Sequence, residues 1–233
     1  MYMEKTQLSK RLKTAAYYVK KNLPVADIGS DHAYLPIYLV QNNIIPSAIA
    51  GEVIKGPFEN AKNKVLSVGL ENQISVRLGS GLNVLKPEDN IGTVTICGMG
   101  GILIADILNE GLSKSKLPLN ARLVLQPNNA EEILRAFLRK NQFKIISETI
   151  IEENNKMYEI ITAEHHLEDF NYTETELNFG PFLVEEKSAI FLKKWEKELA
   201  IQEKILEQLK NSDDRDKMKQ TKEKIQHIRE VLL

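Results

Sequence analysis

Val25-Ala26-Asp27-Ile28-Gly29-Ser30-Asp31-His32-Ala33 runs an apolar strand into an acidic residue, a glycine and a polar turn, and a helical pattern rich in Leu and Ile follows. Gly29 lets the backbone approach a ligand closely. The turn opens onto a helix N-terminus, whose free N–H groups favour a carboxylate or phosphate. Only one of the three glycines of G-x-G-x-x-G is present, so this is not the dinucleotide fingerprint. The stretch reads instead as the first βα unit of an α/β sheet that binds its ligand at the strand ends.

Outward from this unit, short apolar runs alternate with helical patterns, which signals a mostly parallel sheet. Strands are expected near 24–28, 47–53, 73–78, 92–97, 121–126, 143–151 and 156–163. The last two are separated only by Glu152 to Asn155, too short for a crossover helix, and therefore form an antiparallel hairpin. Toward the N-terminus, Leu8, Leu12, Ala15, Ala16 and Val19 recur at helical spacing. That helix is basic: Lys5, Lys10, Arg11, Lys13, Lys20 and Lys21 are set against Glu4 alone.

After His166 the pattern turns polar, and Asn178 to Pro181 marks a break. Leu192, Trp195, Leu199, Leu206 and Leu209, then Met218, Ile225, Ile228 and Leu232, recur at seam spacing on either side of a polar turn at 211–216. They predict an antiparallel helical hairpin with coiled-coil packing. The expected division is 1–166 for the α/β domain with its basic helix and 167–233 for the hairpin.

At 233 residues the chain has room for one α/β core plus an appendage. Thirty-one Lys and Arg face 32 Asp and Glu, a net charge of -1, so any nucleic-acid surface must be a local patch. A single cysteine, Cys97, and the lack of a signal-peptide core or long apolar span point to a cytoplasmic protein without a membrane segment. His165-His166 have no companion ligands at useful spacing, so no metal is expected. The oligomeric state stays open, a monomer included.

Four more turns end strands. Ala48-Ile49-Ala50-Gly51-Glu52 places Glu52 close to the roughly 20-residue offset at which an acid holds ribose hydroxyls. A solvated glutamate is the other reading. Leu78-Gly79-Ser80-Gly81-Leu82 suits a wall against an adenine ring, with Ser80 able to hydrogen-bond its amino group. Thr95-Ile96-Cys97-Gly98-Met99-Gly100-Gly101 lets the backbone pass beneath a ligand, or simply makes a tight turn. The fifth strand ends in Gln126-Pro127-Asn128-Asn129, whose amides can meet a base edge; Asn128 or Asn129 can equally cap the helix that follows. All these turns fall at C-terminal strand ends, where open α/β sheets bind ligands.

With these motifs the sequence resembles the bacterial tRNA (adenine(22)-N1)-methyltransferase family along its whole length. The most specific stretches are Leu8-Ser9-Lys10-Arg11-Leu12, Ala26 to Pro36, Gly98-Met99-Gly100-Gly101 and Leu125-Gln126-Pro127-Asn128. The resemblance implies a Rossmann-like, seven-stranded class I methyltransferase domain with a C-terminal helical coiled-coil hairpin, S-adenosylmethionine as donor and tRNA as acceptor. It places Arg11, Asp27, Gly29, His32, Glu52, Ser80, Gly81, Gly98 and Gln126 around the cofactor. Asp31, Tyr34 and Asn128 would face the incoming adenine. Ser80 departs from the acid commoner there, and no aromatic follows Asn128 as it does in the N-P-P-Y sequence of amino-methyltransferases.

Adenine N1 carries a lone pair and no proton, so attack needs no general base. Asp31 is expected to stabilise the cationic product ring or accept from the N6 amino group, unless it only caps a helix. Tyr34 is a stacking platform or core. Lys217, Lys219, Lys222, Lys224 and Arg229, with the basic first helix, are candidate phosphate contacts. Rival readings are a methyltransferase acting on an exocyclic amine, or a non-catalytic tRNA-binding protein on the same scaffold.

Overall fold

The computed structural model describes residues 6–209 and 214–233. Glu4 and Lys5 of the basic segment, and 211–213 of the expected tail turn, lie outside the described residues. The first helix, α1 (Lys10–Tyr17), is shorter than the apolar spacing suggests, because Ser9 caps it by accepting the Leu12 N–H. Leu8 and Val19 flank the helix, yet both still pack on the core beneath it.

The chain continues through β1 (Val25–Ile28), α2 (Tyr34–Gln41), β2 (Ala48–Glu52), α3 (Lys55–Ser67), β3 (Ile74–Leu78), β4 (Thr93–Met99), α4 (Gly101–Ser113), β5 (Arg122–Pro127), α5 (Glu131–Lys140), β6 (Phe143–Glu153) and β7 (Lys156–His165). One seven-stranded sheet forms in the order β3-β2-β1-β4-β5-β7-β6. The five strands from β3 to β5 are parallel, and β7 runs antiparallel to both neighbours. Each expected strand is present, with ends shifted by at most two residues. Asn154 and Asn155, at φ 52° and 60°, alone make the β6–β7 turn. Asparagine tolerates the left-handed backbone that a two-residue hairpin demands, so Glu152 and Glu153 stay in the strand.

Alternation along the strands sorts the core into two layers. Ala26 and Ile28 of β1 pack with Ile104 and Leu108 of α4 and Leu134 and Leu138 of α5. Val25, one residue before Ala26 and so on the opposite face, packs with Leu35 and Leu39 of α2 and Val65 of α3. Strand order reverses between β1 and β4, and this opens a crevice at their C-terminal ends.

Past His166 come two short helices that the sequence pattern does not disclose, α6 (Glu174–Phe179) and α7 (Pro181–Glu186). A capping box starts α6, with Thr173 and Glu176 exchanging side-chain to backbone bonds. The expected break is the joint at Gly180. Then α8 (Ala189–Leu209) and α9 (Arg215–Leu232) pack as a helical hairpin. Phe191, Trp195, Ile228 and Val231 join Phe179 and Leu183 in a cluster against Ile150 of β6.

A buried charge network holds this cluster in place. The Arg135 side chain has no exposed surface; its Nε donates to Glu148 over 2.7 Å and its Nη2 to Glu159. Lys194 of α8 reaches Glu159 at 2.6 Å and Glu131 at 2.8 Å, and the Phe182 N–H donates to Glu148. Burial pushes the Glu148 carboxyl up from its ordinary value. Burial pushes Glu159 up as well, but Lys194 and Arg135 together outweigh it and hold that carboxyl low. The two differ because only Glu159 has the second cation. A Cβ on Gly180, at φ +94°, would lie 2.6 Å from a Glu148 oxygen, so glycine is what lets the α6–α7 joint pass over the pair. Replacing Arg135 by Ala leaves the buried Glu148 carboxylate without a cation and Glu159 with Lys194 alone, and should cost about 3 to 5 kcal/mol in urea unfolding. A loss below about 1 kcal/mol would mean the network is relaxed by water.

Candidate active site

The crevice is built from β1 outward. The Asp27 carboxylate, 4% exposed, accepts from Ser30 Oγ and Thr95 Oγ1, each over 2.6 Å. Burial pushes its carboxyl up to about 6 even with both hydroxyls favouring the charged form. Asp27 therefore braces the turn that follows it. Thr95 and Ser30 were not anticipated; the signal for Thr95 was register, since it sits directly beside Asp27 across the β1–β4 ladder.

Gly29, at φ +71°, donates to the Gly51 carbonyl over 2.9 Å, and any Cβ there would overlap the Met99 methyl. Asp31, His32 and Ala33 then take φ values of 38°, 61° and 56°, three consecutive left-handed residues without a glycine. Each such residue costs roughly 1 to 2 kcal/mol. Glu52, at the end of β2, steadies the turn by accepting the Asp31 N–H over 2.6 Å. Burial pushes the Glu52 carboxyl up.

The turn leaves the Asp31 side chain largely exposed, with Oδ1 3.6 Å from His32 Nε2. Ala33 is the N-cap of α2 and no side chain caps that helix, so Asp31 does not serve as a cap. Tyr34 is 37% exposed, its ring centroid 5.4 Å from that of His32, and is not core.

On the other side of the crevice, Gln126 is fully buried. Its Oε1 accepts the Gly98 N–H over 3.0 Å and a guanidinium N–H of Arg11. Its Nε2 donates to the Pro127 carbonyl and to Asn128 Oδ1. Asn128 in turn donates to the Gly98 carbonyl over 2.7 Å. Neither Asn128 nor Asn129 caps α5; Ala130 is its N-cap in a left-handed conformation, and the Asn129 carbonyl instead accepts the Gly101 N–H. Gly98, at φ +81°, lies under the Arg11 guanidinium, 3.3 Å from where its Cβ would be.

A cavity of about 210 Å³ lies among these groups, lined by Arg11, Leu12, Asp27, Gly29, Ser30, Asp31, Tyr34, Leu35, Cys97, Gly98 and Met99. Leu12, Leu35 and Met99 are not among the expected site residues, since apolar residues carry no chemical signal in a sequence. Glu52, Gln126 and Asn128 border its walls through the bonds above. Ser80 and Gly81 stand at the end of β3, Gly81 at φ +50° beginning a 3₁₀ turn, and do not line the cavity. A wider groove of about 950 Å³ runs along α1 past Lys13, Tyr17, Lys21 and Tyr38, away from the strand ends. Burial pushes the Cys97 thiol up to about 12, which keeps it protonated at neutral pH. Among the described residues no group of three His, Cys, Asp or Glu is placed to hold a metal ion, and no helix is long and apolar enough to cross a membrane.

A family model for tRNA (adenine(22)-N(1))-methyltransferase matches residues 25–230. The chain belongs to the tRNA (adenine(22)-N1)-methyltransferase family. The member of this family from Bacillus subtilis (strain 168) is 44% identical over 238 residues, 99% of each chain. Among solved structures, a putative tRNA (m1A22) methyltransferase of Streptococcus pneumoniae in complex with S-adenosyl-L-methionine is 44% identical, covers 97% of this chain and 100% of its own, and superposes with a TM-score of 0.88. A relative from M. capricolum in complex with S-adenosylhomocysteine is 31% identical over 97% of each chain, with a TM-score of 0.86.

Within this family fold, the raised Asp27 carboxyl links the crevice to pH. The folded protein binds that proton more tightly than the unfolded chain, whose carboxyl titrates near 3.8. The stability this contributes is complete below about 4 and is lost as pH rises through about 6. Asp27→Asn removes the effect. Relative to wild type, the variant should gain on the order of 2 to 3 kcal/mol in urea unfolding between pH 4 and pH 7. An offset between the two proteins that is equal at both pH values would place the ionisation elsewhere.

Proposed function

We propose that this chain transfers the methyl group of S-adenosylmethionine to N1 of adenine 22 in tRNA, with residues 1–166 as the catalytic unit and 167–233 as a substrate-facing tail. The donor groups in the crevice fit that cofactor. Arg11 is a cation for its carboxylate, Glu52 an acid for its ribose hydroxyls, and Gly29 and Gly98 line the cavity with backbone alone. Gln126 holds Arg11 and the Gly98 backbone in register, while Asp27 braces the Gly29 turn. His32, Ser80 and Gly81 would complete the adenosine side of the site. When bound, the cofactor supplies an electrophilic methyl group on a sulfonium centre.

The protein's task is then to hold adenine N1 about 3 to 3.5 Å from that carbon and in line with it. The observation that carries this reading is the left-handed turn 31–33, which Glu52 pins from the cofactor side and which presents Asp31 and Tyr34 at the mouth. One acid thereby ties donor and acceptor positions together. Tyr34 offers a face to the base. The Asp31 carboxylate accepts from the adenine N6 amino group and stabilises the positive charge that grows on the ring. Asn128, its amide fixed by Gln126 and Gly98, borders the base from β5.

Phosphate contacts fall to fewer residues than charge alone suggested. Lys224 is 2.6 Å from Glu198 and Arg229 is 2.8 Å from Glu203, so both join α9 to α8. Lys13 and Lys21 on the domain, with Lys217, Lys219 and Lys222 on α9, are left for RNA.

Labelled methyl transfer from S-adenosylmethionine to unmodified tRNA should yield 1-methyladenosine on nucleoside digestion and vanish when adenine 22 is replaced. Cofactor binding with label appearing on another nucleoside would overturn the acceptor. Asp31→Asn retains a residue that tolerates the left-handed turn. It should lower kcat by about 10²-fold while leaving the cofactor Kd within about twofold, by single-turnover kinetics and calorimetry. Unchanged kcat would remove Asp31 from the chemistry.

A further inference from the structure

The N-terminus of α1 is held from an unexpected quarter. The first N–H groups of an α-helix have no partner within it. Here Glu153, the last residue of β6, takes the first two: Oε1 accepts the Lys10 N–H over 2.5 Å and Oε2 the Arg11 N–H over 3.3 Å. Ser9 takes the third, from Leu12, and the Lys13 N–H begins the helical ladder at the Ser9 carbonyl. A charged acceptor at this end also favours the helix dipole. The neighbouring Glu152 carbonyl accepts from Lys10 Nζ over 3.1 Å, and its carboxylate grips Lys193 of α8 at 2.6 and 2.7 Å. From across the same hairpin, the Tyr158 ring lies 5.7 Å beneath the Arg11 guanidinium.

The tip of the β6–β7 hairpin thus fixes where Arg11 begins, and Arg11 ends on Gln126, the amide that orients Gly98 and Asn128. We propose that Glu153 is a positioning residue for methyl transfer: it acts through the first turn of α1 to aim Arg11 at the crevice, without touching either substrate. The proposal rests on the reading of Arg11 as the cofactor's carboxylate partner. Lys10 and Arg11 follow Ser9 directly, so a turn of α1 that slips or frays moves the guanidinium root with it. Among the described residues, Glu153 alone accepts from these two amides.

The test is a double-mutant cycle between Glu153→Ala and Arg11→Ala, read by calorimetry with S-adenosylmethionine and S-adenosylhomocysteine and by thermal melting. Glu153→Ala is expected to weaken cofactor binding by about tenfold, and Glu153→Gln, which keeps one acceptor oxygen, to recover to within about threefold of wild type. In the Arg11→Ala background, Glu153→Ala should add less than a twofold change. A purely structural role would give equal losses in both backgrounds and no recovery with Gln beyond what melting recovers. Equal losses, or an unchanged Kd for Glu153→Ala in the wild-type background, would overturn the proposal. If Arg11→Ala itself leaves cofactor affinity intact, the Arg11 reading fails, and that result is visible separately from the Glu153 arm of the cycle.

Discussion

Gln126 is a side-chain amide with no access to water and four hydrogen-bonding valences to satisfy, and the crevice is organised by the single way of satisfying them. Its oxygen must face the Gly98 N–H, which is a donor that cannot be reversed. The nitrogen is thereby committed to Pro127 and Asn128, and the remaining lone pair to Arg11. One amide joins α1, β4 and β5 at the strand ends, and its orientation decides which way the Asn128 amide must point. Leaving any of these groups unpaired in the interior would cost about 1 to 3 kcal/mol, so the arrangement has little freedom.

Opposite this rigid wall stands a strained one. The left-handed residues 31–33 and the buried Asp27 carboxylate are each unfavourable by themselves, and they persist because the sheet beneath them is over-determined. Asp27 is held by hydroxyls from its own turn and from β4, and Asp31 by an acid from β2, so strain on one loop is borne by three strands. Strain concentrated where the strand order reverses is what pre-organises a site for a ligand that approaches both walls. The buried Arg135 network does the same for the tail: it makes the attachment of α8 a matter of charge geometry as well as apolar contact.

Much of this was legible in the sequence, and the limits of legibility have physical causes. The strands showed because buried parallel strands are continuous apolar runs, and the four glycine- or acid-bearing turns showed because ligand approach demands unusual residues. The family resemblance added Arg11 and His32, which no spacing rule would have picked out, and turned Gln126 from a base-edge candidate into a cofactor-side one. What stayed hidden were partners. Thr95 and Ser30 look like ordinary strand and turn residues until register brings them to Asp27; Glu153 looks like a hairpin glutamate until α1 is seated on it. The short helices α6 and α7 carry no amphipathic period long enough to register, although the Thr173–Glu176 capping box was in plain sight. The capping roles weighed for Asp31, Asn128 and Asn129 failed because both helices begin after alanines in left-handed conformation, a geometry that residue preference argues against.

The central claim is that cofactor binds where the two walls meet, between β1, β2, β4 and β5, and not in the wider groove beside α1. A crystal structure of this protein with S-adenosylhomocysteine tests it directly. The account predicts the ribose hydroxyls within hydrogen-bonding distance of the Glu52 carboxylate, the amino-acid carboxylate on Arg11 and the backbone passing closest at Gly29 and Gly98. A ligand seated along Tyr17 and Lys21, or one at the strand ends with Glu52 and Arg11 both turned away from it, would contradict the account.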